Sequence, residues 1–256
     1  PASAAPAASA PAEETRHRLI VLSDIENEPD DSESMVRLLL YSNQIDIEAL
    51  IATTSVHMKT RVAPETMQAI IAAYGKVQPN LLKHEKGFPD ASAVSALVTQ
   101  GLPVYGMGGV GDGKDSPGSE RIITLLEKPD PRPIYVSMWG GANTLAQALY
   151  KIQQTRSPED AARLIAKLRV YTISDQDDSG IWIRKTFPDL FYIVSPGGYG
   201  NATWGGIMHV EPGFDNTEVG NGWIASHIQQ GHGPLGAMYP DVAYGMEGDT
   251  PSFLSL

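Results

Sequence analysis

The sequence has no cysteine among its 256 residues. Disulfides, a thiolate nucleophile and zinc sites built on cysteine are therefore excluded. No apolar run approaches the roughly 20 residues that a membrane-spanning helix needs. Basic residues are scarce as well, since 19 Lys and Arg stand against 30 Asp and Glu, which gives a net charge of −11. Nucleic acids and anionic membranes are thus disfavoured as partners, whereas neutral or cationic ligands, or a metal ion, are favoured.

The hydrophobic content of 42% is enough for a substantial core. The first twelve residues, PASAAPAASAPA, are a low-complexity run that cannot build one. We expect residues 1–15 to form a disordered Pro/Ala-rich leader or linker and residues 16–256 to form one folded domain. Such a start is typical of an exported protein after removal of its signal peptide, so we expect a secreted or periplasmic location.

The most informative region is an acidic loop that follows the first predicted strand. Residues 19–22 are apolar, as in a buried parallel strand, and residues 32–42 have helical spacing. Between them lie five carboxylates, at positions 24, 26, 28, 30 and 31. Open α/β sheets bind ligands at the carboxyl ends of their strands. Because crowded carboxylates repel one another, the loop predicts a bound cation, and oxygen ligands favour Ca²⁺ before Mg²⁺.

Further strands and helices alternate along the chain. The predicted strands are 45–54, 132–138, 168–174 and 190–195, and the predicted helices are 64–77, 91–100 and 145–153. Residues 107–118 form a glycine-rich loop. This order predicts an α/β fold with an open, mostly parallel sheet flanked by helices.

Three of the predicted strands end in polar sequences of the same kind. These are DIENEPDD at 24–31, WGGANT at 139–144 and DQDD at 175–178, and EGDT at 247–250 adds another acidic pair. The pattern resembles the nucleoside hydrolases, which carry an acidic Asp-x-Asp-x-x-x-Asp-Asp loop after the first strand. Members of that superfamily hold Ca²⁺ in an open α/β fold, so the resemblance implies both for this chain.

The resemblance also implies a set of metal ligands. In the acidic loop, Glu26 stands where the second Asp of the signature is expected. The segment GGANTLA at 140–146 resembles the family's Gly-Pro-Leu-Thr-Asn-Leu-Ala, which would make the carbonyl of Asn143 a ligand. The family's late metal-binding Asp would be Asp249. The implied Ca²⁺ ligands are therefore Asp24, Glu26, Asp30, Asp31, Asn143 and Asp249.

The chain is more similar still to one branch of that superfamily. This branch consists of bacterial exported proteins with a nucleoside-hydrolase-like domain, some of them described as cellulose-binding. The stretches that carry the similarity lie within residues 18–254 and include EPDD, RPIYVSMWGGANTLAQAL, ISDQDD and EGDTPSFL. In such relatives a smaller β-sandwich-like domain often follows.

Two departures from the nucleoside hydrolases concern the chemistry. Gly248 occupies the position of the histidine that precedes the late Asp, and Glu26 is one methylene longer than the expected base. On spacing, Glu26 is the favoured general base, with Glu28 as the competing candidate. His57, which follows the second strand, could reach the pocket.

Residues beside the polar strand ends are candidates for sugar contacts. Trp139 could stack on a sugar face, although core packing is the alternative. Asp177 and Asp178 could bind sugar hydroxyls or could cap a helix that begins near Ser179. The full set of predicted substrate-binding residues is Trp139, Asp177, Asp178, Asn201, Trp204 and Glu247.

These observations lead to two functional hypotheses. The first is a Ca²⁺-dependent glycoside hydrolase that cleaves a sugar C1 bond, N- or O-glycosidic, with a water activated by the metal. The alternative is a non-catalytic domain that binds a cellulose-type polysaccharide and retains the fold and the metal. In both cases the expected ligand is a small sugar, a nucleoside-like molecule or an oligosaccharide. A haloacid-dehalogenase-type phosphatase fits less well, because Glu26 replaces an acid which that chemistry needs.

Overall fold

A computed structural model describes residues 15–194 and 217–256 of the chain. Within these ranges the strands are β1 (His17–Ser23), β2 (Ile45–Ala52), β3 (Val98–Gln100), β4 (Ile134–Met138), β5 (Leu168–Thr172) and β6 (Phe191–Val194). They form one sheet in the order β3-β2-β1-β4-β5-β6, and each neighbouring pair is parallel. The predicted open, parallel α/β sheet is confirmed.

Helices connect these strands. In the described ranges they are α1 (Asp30–Leu40), α2 (Pro64–His84), α3 (Ala91–Ser95), α4 (Pro117–Glu127), α5 (Asn143–Thr155), α6 (Pro158–Ile165), α7 (Ser179–Thr186), α8 (Asn221–Ile224), α9 (Gly233–Gly236) and α10 (Pro251–Leu254). Two 3₁₀ turns, Gly106–Gly109 and Thr217–Val219, and a π-helical turn at Ala225–Gln229 complete the set. None of the described helices is both long and apolar enough to cross a membrane.

The sheet is buried on both faces, which explains the continuous apolar run of β1. Ile20 and Leu22 belong to one hydrophobic cluster together with residues of α4, α5 and α6. Leu19 and Val21 point to the other face, where residues of α1, α2 and α10 pack. Because its side chains are held on both sides, β1 gives the acidic loop that follows it a fixed starting point.

The segment 91–100 departs from the prediction of a single helix. Only Ala91–Ser95 is helical, and Val98–Gln100 forms the short edge strand β3. This strand pairs in parallel with Leu50–Ala52 of β2. A three-residue strand has no recognisable periodicity of its own, so pairing with a distant segment determines its conformation.

Two helices also differ from the predicted elements. Helix α4 has no predicted counterpart; a reciprocal capping box between Ser116 and Ser119 fixes its start. Helix α2 runs on to His84, with Pro79 inside it, whereas the predicted helix ends at residue 77. The predicted leader falls on residues 1–14, which lie outside the described ranges, and on Thr15.

The strand order places a crevice at the carboxyl edge of the sheet. From β1 the chain first adds β2 and β3 on one side, and β4 to β6 then extend the other side. The order therefore reverses between β1 and β4, and such a switch point opens a crevice outside the carboxyl ends of the two strands. The acidic loop after β1 and the segment 139–142 after β4 border this crevice.

Candidate metal centre at the carboxyl edge of the sheet

Three buried carboxylates converge at the crevice. Asp30, Asp31 and Asp249 each offer an oxygen atom, and these atoms lie within 4.8 Å of one another. Asp30 and Asp31 are the first two residues of α1, and Asp249 precedes α10 at the other end of the sequence. Asp249 therefore lies beside the acidic loop, and its role as a metal ligand stays a prediction.

A fourth carboxylate, that of Asp24, lies beside this group. Asp24 is 1% exposed, and its negative charge raises the pKa of Asp31 and of Asp249. Its backbone and Cβ pass so close to Gly140 that a Cβ added there would lie 2.9 Å from the Asp24 Cβ, nitrogen and Oδ1 atoms. Only a glycine at the end of β4 allows this approach. We refer to Asp24, Asp30, Asp31 and Asp249 as the carboxylate cluster.

The electrostatics of the carboxylate cluster are unfavourable in the absence of a cation. Burial, reinforced by the neighbouring negative charges, raises the pKa of Asp24 and of Asp30 to about 7. The same causes raise the pKa of Asp31 and Asp249 well above the ordinary value. Among the described residues, no salt bridge involves any of the four. Buried carboxylates are normally paired or bound to a metal, so the cluster could hold a metal ion.

The donor atoms of the cluster fit a hard divalent cation. Asp24 Oδ2 and Asp249 Oδ2 are buried and have no hydrogen-bond partner in the described part of the chain. The cluster offers carboxylate oxygens, and oxygen ligands are those that Ca²⁺ and Mg²⁺ prefer. Ser23 donates a 2.5 Å hydrogen bond to Asp31 Oδ1, which orients this carboxylate but leaves its other oxygen for a ligand.

Glu26 does not join the carboxylate cluster. Its carboxylate forms an ion pair with Arg61 at 2.5 Å and accepts a hydrogen bond from the Thr66 hydroxyl. These contacts hold the pKa of Glu26 below its ordinary value. Its backbone is left-handed, with φ of 80°. The predicted roles of Glu26 as a Ca²⁺ ligand and as the favoured base require it to lie in the carboxylate cluster. The structure does not place it there.

Glu28 faces the carboxylate cluster instead. Its charge raises the pKa of each of the four cluster carboxylates. Glu28 is half-buried, which raises its own pKa, and the nearby charge of His57 lowers it. Asn27 donates a hydrogen bond to one of its oxygens. Of the two candidate bases, Glu28 is thus the one near the cluster.

Asn143 and Asp177 form a polar network behind the crevice. The Asn143 side chain accepts a hydrogen bond from Thr53 at 2.9 Å and donates to the Val104 carbonyl at 2.6 Å. Its backbone N–H donates to Asp177 Oδ2 at 3.1 Å. Asp177 Oδ1 accepts from the backbone and hydroxyl of Ser179, at 2.9 and 2.5 Å. The two oxygens of Asp177 are therefore bonded to the first residues of α5 and α7 and are not free for a sugar. The role of the Asn143 carbonyl as a ligand stays a prediction.

Asp178 anchors the glycine-rich loop to this edge. Asp178 Oδ1 accepts a 2.8 Å hydrogen bond from the backbone of Met107. Tyr105, two residues before this loop, is half-buried and has the Lys59 ammonium 5.0 Å from its ring centroid. The anchored segment thus brings the Tyr105 ring close to Asp177 and Asp178 at the carboxyl edge of the sheet.

Two predicted substrate contacts are corrected by their surroundings. Trp139 is 1% exposed, packs 6.0 Å from the ring of Phe253, and donates from Nε1 to the hydroxyls of Ser137 and Ser252. Its faces are not available to a sugar, so the core-packing alternative is right. The carboxylate of Glu247 accepts from Arg37 at 2.8 and 3.0 Å and is likewise committed within the protein.

The sequence comparison now assigns the family. The family model for the cellulose-binding Sde182 nucleoside hydrolase-like domain matches residues 18–256. The chain belongs to this family. This agrees with the acidic loop and the late Asp that meet at the carboxyl edge, and the resemblance deduced from the sequence is confirmed.

Of two solved structures compared with this nucleoside hydrolase-like domain, one is similar to it in both sequence and fold. A nucleoside hydrolase-related hypothetical protein from Saccharophagus degradans, associated with carbohydrate metabolism, has 42% identity and a TM-score of 0.83. That match covers 94% of this chain but 54% of the other, so the chain spans about half the length of that protein. The type III effector XopQ, solved with adenosine diphosphate ribose, has 10% identity, a TM-score of 0.38 and coverage of 95% and 81%. No curated protein matches the sequence.

Two of the predicted sugar contacts, Asn201 and Trp204, lie outside the described residues. Other residues of the nucleoside hydrolase-like domain contribute to the site without having been predicted. Thr53 and Thr54 follow β2 and bond to Asn143, and Arg37 binds Glu247. A signal for the first pair exists in the sequence, because the polar TTS after the apolar ALIA marks one more strand end at the same edge.

Proposed function

We propose that this domain is a Ca²⁺-dependent glycoside hydrolase that uses water to cleave a sugar C1 bond. The observation that carries the proposal is the carboxylate cluster at the switch point of the sheet, with its two unpartnered buried oxygens. Asp24, Asp30, Asp31 and Asp249 would hold the ion. When bound, Ca²⁺ would supply a positive charge that orients hydroxyl groups and lowers the pKa of water.

Carbohydrate is the substrate class that the comparisons support. The family is described as cellulose-binding, and the solved relative with 42% identity is associated with carbohydrate metabolism. The net charge of −11 suits a neutral saccharide better than a phosphorylated one. Tyr105 would offer a ring face to a sugar, in place of the buried Trp139. An exported location, as the first residues suggest, would give such a protein access to polysaccharides.

In this proposal Glu28 is the general base. Its carboxylate would take a proton from the attacking water, whose oxygen forms the new bond to C1 while the bond from C1 to the leaving group breaks. The leaving group must gain a proton, and His57, whose charge acts on Glu28, is the candidate donor. Glu26 would instead hold Arg61 at the rim of the crevice.

A second function is favoured by one observation. Glu26, at the position of the family's base, is held by an ion pair with Arg61 and a hydrogen bond from Thr66. Gly248, at the position of the family's histidine, has no side chain that could act as an acid. A domain that binds cellulose-type polysaccharide without cleaving it would have no need of either group. This alternative retains the carboxylate cluster and the cation.

Hydrolysis assays on matched variants separate these possibilities. Metal ions are removed from the protein with a chelator, and Ca²⁺ is then added back. Hydrolysis of aryl glycosides, cello-oligosaccharides, inosine and uridine is measured for wild type, E28Q and E26Q. We expect Ca²⁺-dependent turnover that falls about 10²–10⁴-fold in E28Q and much less in E26Q. E127Q, which alters an exposed ion pair with Arg156, is the control.

Other outcomes of these assays would support a different base, a different function or a different substrate. A larger loss in E26Q than in E28Q would return the base role to Glu26. Tight binding of cello-oligosaccharides without turnover of any substrate would establish the binding domain. Rapid hydrolysis of inosine would contradict the carbohydrate assignment and indicate a nucleoside hydrolase.

A further inference from the structure

Glu247, two residues before Asp249, is tied to helix α1 by its side chain and by its backbone. Arg37 donates to Glu247 from Nε at 3.0 Å and from Nη2 at 2.8 Å. The backbone N–H of Glu247 donates to a Glu33 carboxylate oxygen at 2.6 Å. Two hydroxyls, those of Tyr239 and Thr250, donate to the Glu247 carboxylate at 3.0 Å each. We refer to Glu33, Arg37, Glu247 and Thr250 as the Glu247 network.

The helix that anchors this network is also the one that carries two of the cluster carboxylates. Asp30 and Asp31 begin α1, and Glu33 and Arg37 lie one and two turns further along it. Side chains spaced by three, four and seven residues share a face of a helix. A single rigid element therefore bears two carboxylates of the cluster and the anchors of the segment that supplies Asp249.

The backbone between the network and Asp249 is held in a turn that does not form readily by itself. Glu247 has φ of 49°, a left-handed conformation that is unfavourable for a residue with a side chain. The N–H of Thr250 donates to the Glu247 carbonyl at 3.1 Å, which closes the turn. Asp249 is inside this turn, so the contacts that hold Glu247 also determine where the Asp249 carboxylate lies.

Repulsion within the carboxylate cluster acts against this placement. Asp249 is 2% exposed and lies next to three other carboxylates, and it forms no ion pair within residues 15–194 and 217–256. Without restraint, the segment would relax and carry Asp249 away from Asp31. We propose that the Glu247 network positions Asp249 for cation binding, and that Arg37 thereby sets the affinity of the site for Ca²⁺. The inference rests on the metal centre in the proposed function but not on catalysis.

The test is a calorimetric titration of Ca²⁺ into chelator-stripped protein. The variants are R37M, which removes the ion pair, and R37K, which retains the charge but not the two-point contact. Loss of an outer residue that orients a ligand costs about 10–100-fold in metal affinity, and we expect that loss in R37M and a smaller one in R37K. R156M is the control, because Arg156 makes a similar two-point contact with Glu127 at the far end of α5.

Thermal melting with and without Ca²⁺ distinguishes positioning from simple support of the fold. A positioning role predicts that R37M loses most of the rise in melting temperature that Ca²⁺ produces, whereas R156M retains it. Equal Ca²⁺ affinity in wild type, R37M and R156M would overturn the inference while leaving the metal site intact. If wild type itself takes up no Ca²⁺, the inference and the proposed metal centre fail together. If R37M does not fold, T250V replaces it, and unchanged Ca²⁺ affinity in T250V overturns the inference.

Discussion

Carboxylates are paired with cationic side chains at the amino edge of the sheet, whereas, within the ranges that the structure describes, the carboxylate cluster at the carboxyl edge is not. At the amino edge, Arg18 has a fully buried side chain that contacts Glu48 at 2.7 Å and Asp130 at 3.6 Å. Lys128 contacts the other oxygen of Glu48 at 2.8 Å. At the carboxyl edge, the carboxylate cluster has no such cation among the described residues. Two arginines, Arg37 and Arg61, are instead paired with Glu247 and Glu26, which lie close to residues of the cluster in sequence.

The pKa directions follow this contrast. Although burial raises the pKa of Glu48, Lys128 and Arg18 hold it below its ordinary value. Arg132 lowers the pKa of Asp130. At the carboxyl edge the shifts are upward, to about 7 for Asp24 and Asp30. The carboxylates at the amino edge are paired with cationic side chains, whereas those of the carboxylate cluster have no such partner in the described part of the chain and could hold an ion.

The largest effect that tests this comparison is expected at the amino edge. R18M removes the buried partner of Glu48 together with hydrogen bonds to the carbonyls of Leu125 and Arg132. Removing one partner of a buried ion pair costs about 3–5 kcal/mol of unfolding free energy. Denaturant unfolding should give this loss equally with Ca²⁺ and with chelator. A loss that Ca²⁺ repairs would mean that the two edges are not independent.

The second effect concerns the cation at the carboxyl edge. Saturating Ca²⁺ should raise the unfolding free energy by about 2.7–4.1 kcal/mol at 100 to 1,000 times its Kd. D31N should abolish this response because it removes a ligand. In chelator, however, D31N should be as stable as wild type or more so, since it removes one of four repelling charges. Equal melting curves of wild type in Ca²⁺ and in chelator would refute the metal centre.

Part of this arrangement can be read from the sequence, and part cannot. The signature at Asp24–Asp31 and the late Asp249 together predict one site, because parallel strands end at one edge and the family motif fixes the spacing. The burial of Trp139 depends on Ser252 and Phe253, more than 100 residues away, and no local pattern encodes such packing. The same holds for Glu26, whose partner Arg61 lies 35 positions along the chain.

The third effect is a pH dependence whose sign depends on the cation. The cluster carboxylates have a higher pKa in the folded than in the unfolded chain, so the folded state binds more protons. Stability of the metal-free protein should therefore fall as the pH rises from about 5 to about 7, by about 1.4 kcal/mol per pH unit for each excess proton. With saturating Ca²⁺ the fall should disappear, because the ion displaces those protons. Unfolding at three pH values with Ca²⁺ and with chelator measures both slopes, and parallel slopes would contradict the assignment.

The smallest effect concerns the uncharged polar groups of the carboxyl edge. It tests whether these groups are hydrogen-bonded within the protein, as the charged groups of the amino edge are paired. Trp139 Nε1 is bonded to Ser137 and Ser252, and the Ser252 hydroxyl also donates to the Asp249 carbonyl at 2.6 Å. W139F removes the N–H and some volume but leaves the two serines bonded to each other. We expect a loss of about 1–2 kcal/mol in unfolding free energy. Saccharide affinity should not change, because the ring is 1% exposed.

The matched comparison for W139F is Y105A, which removes the half-buried ring that precedes the glycine-rich loop. Titration of cello-oligosaccharides should show weaker binding to Y105A and unaltered binding to W139F. The reverse result would place the Trp139 ring at the ligand. Such a result would mean that the carboxyl edge of the sheet opens when the saccharide binds. The carboxylate cluster would then not need a cation while this edge is closed. If only Y105A binds the saccharide more weakly, the Trp139 ring stays buried when the ligand binds. The carboxylate cluster would then be the set of groups at this edge for which a cation is still expected.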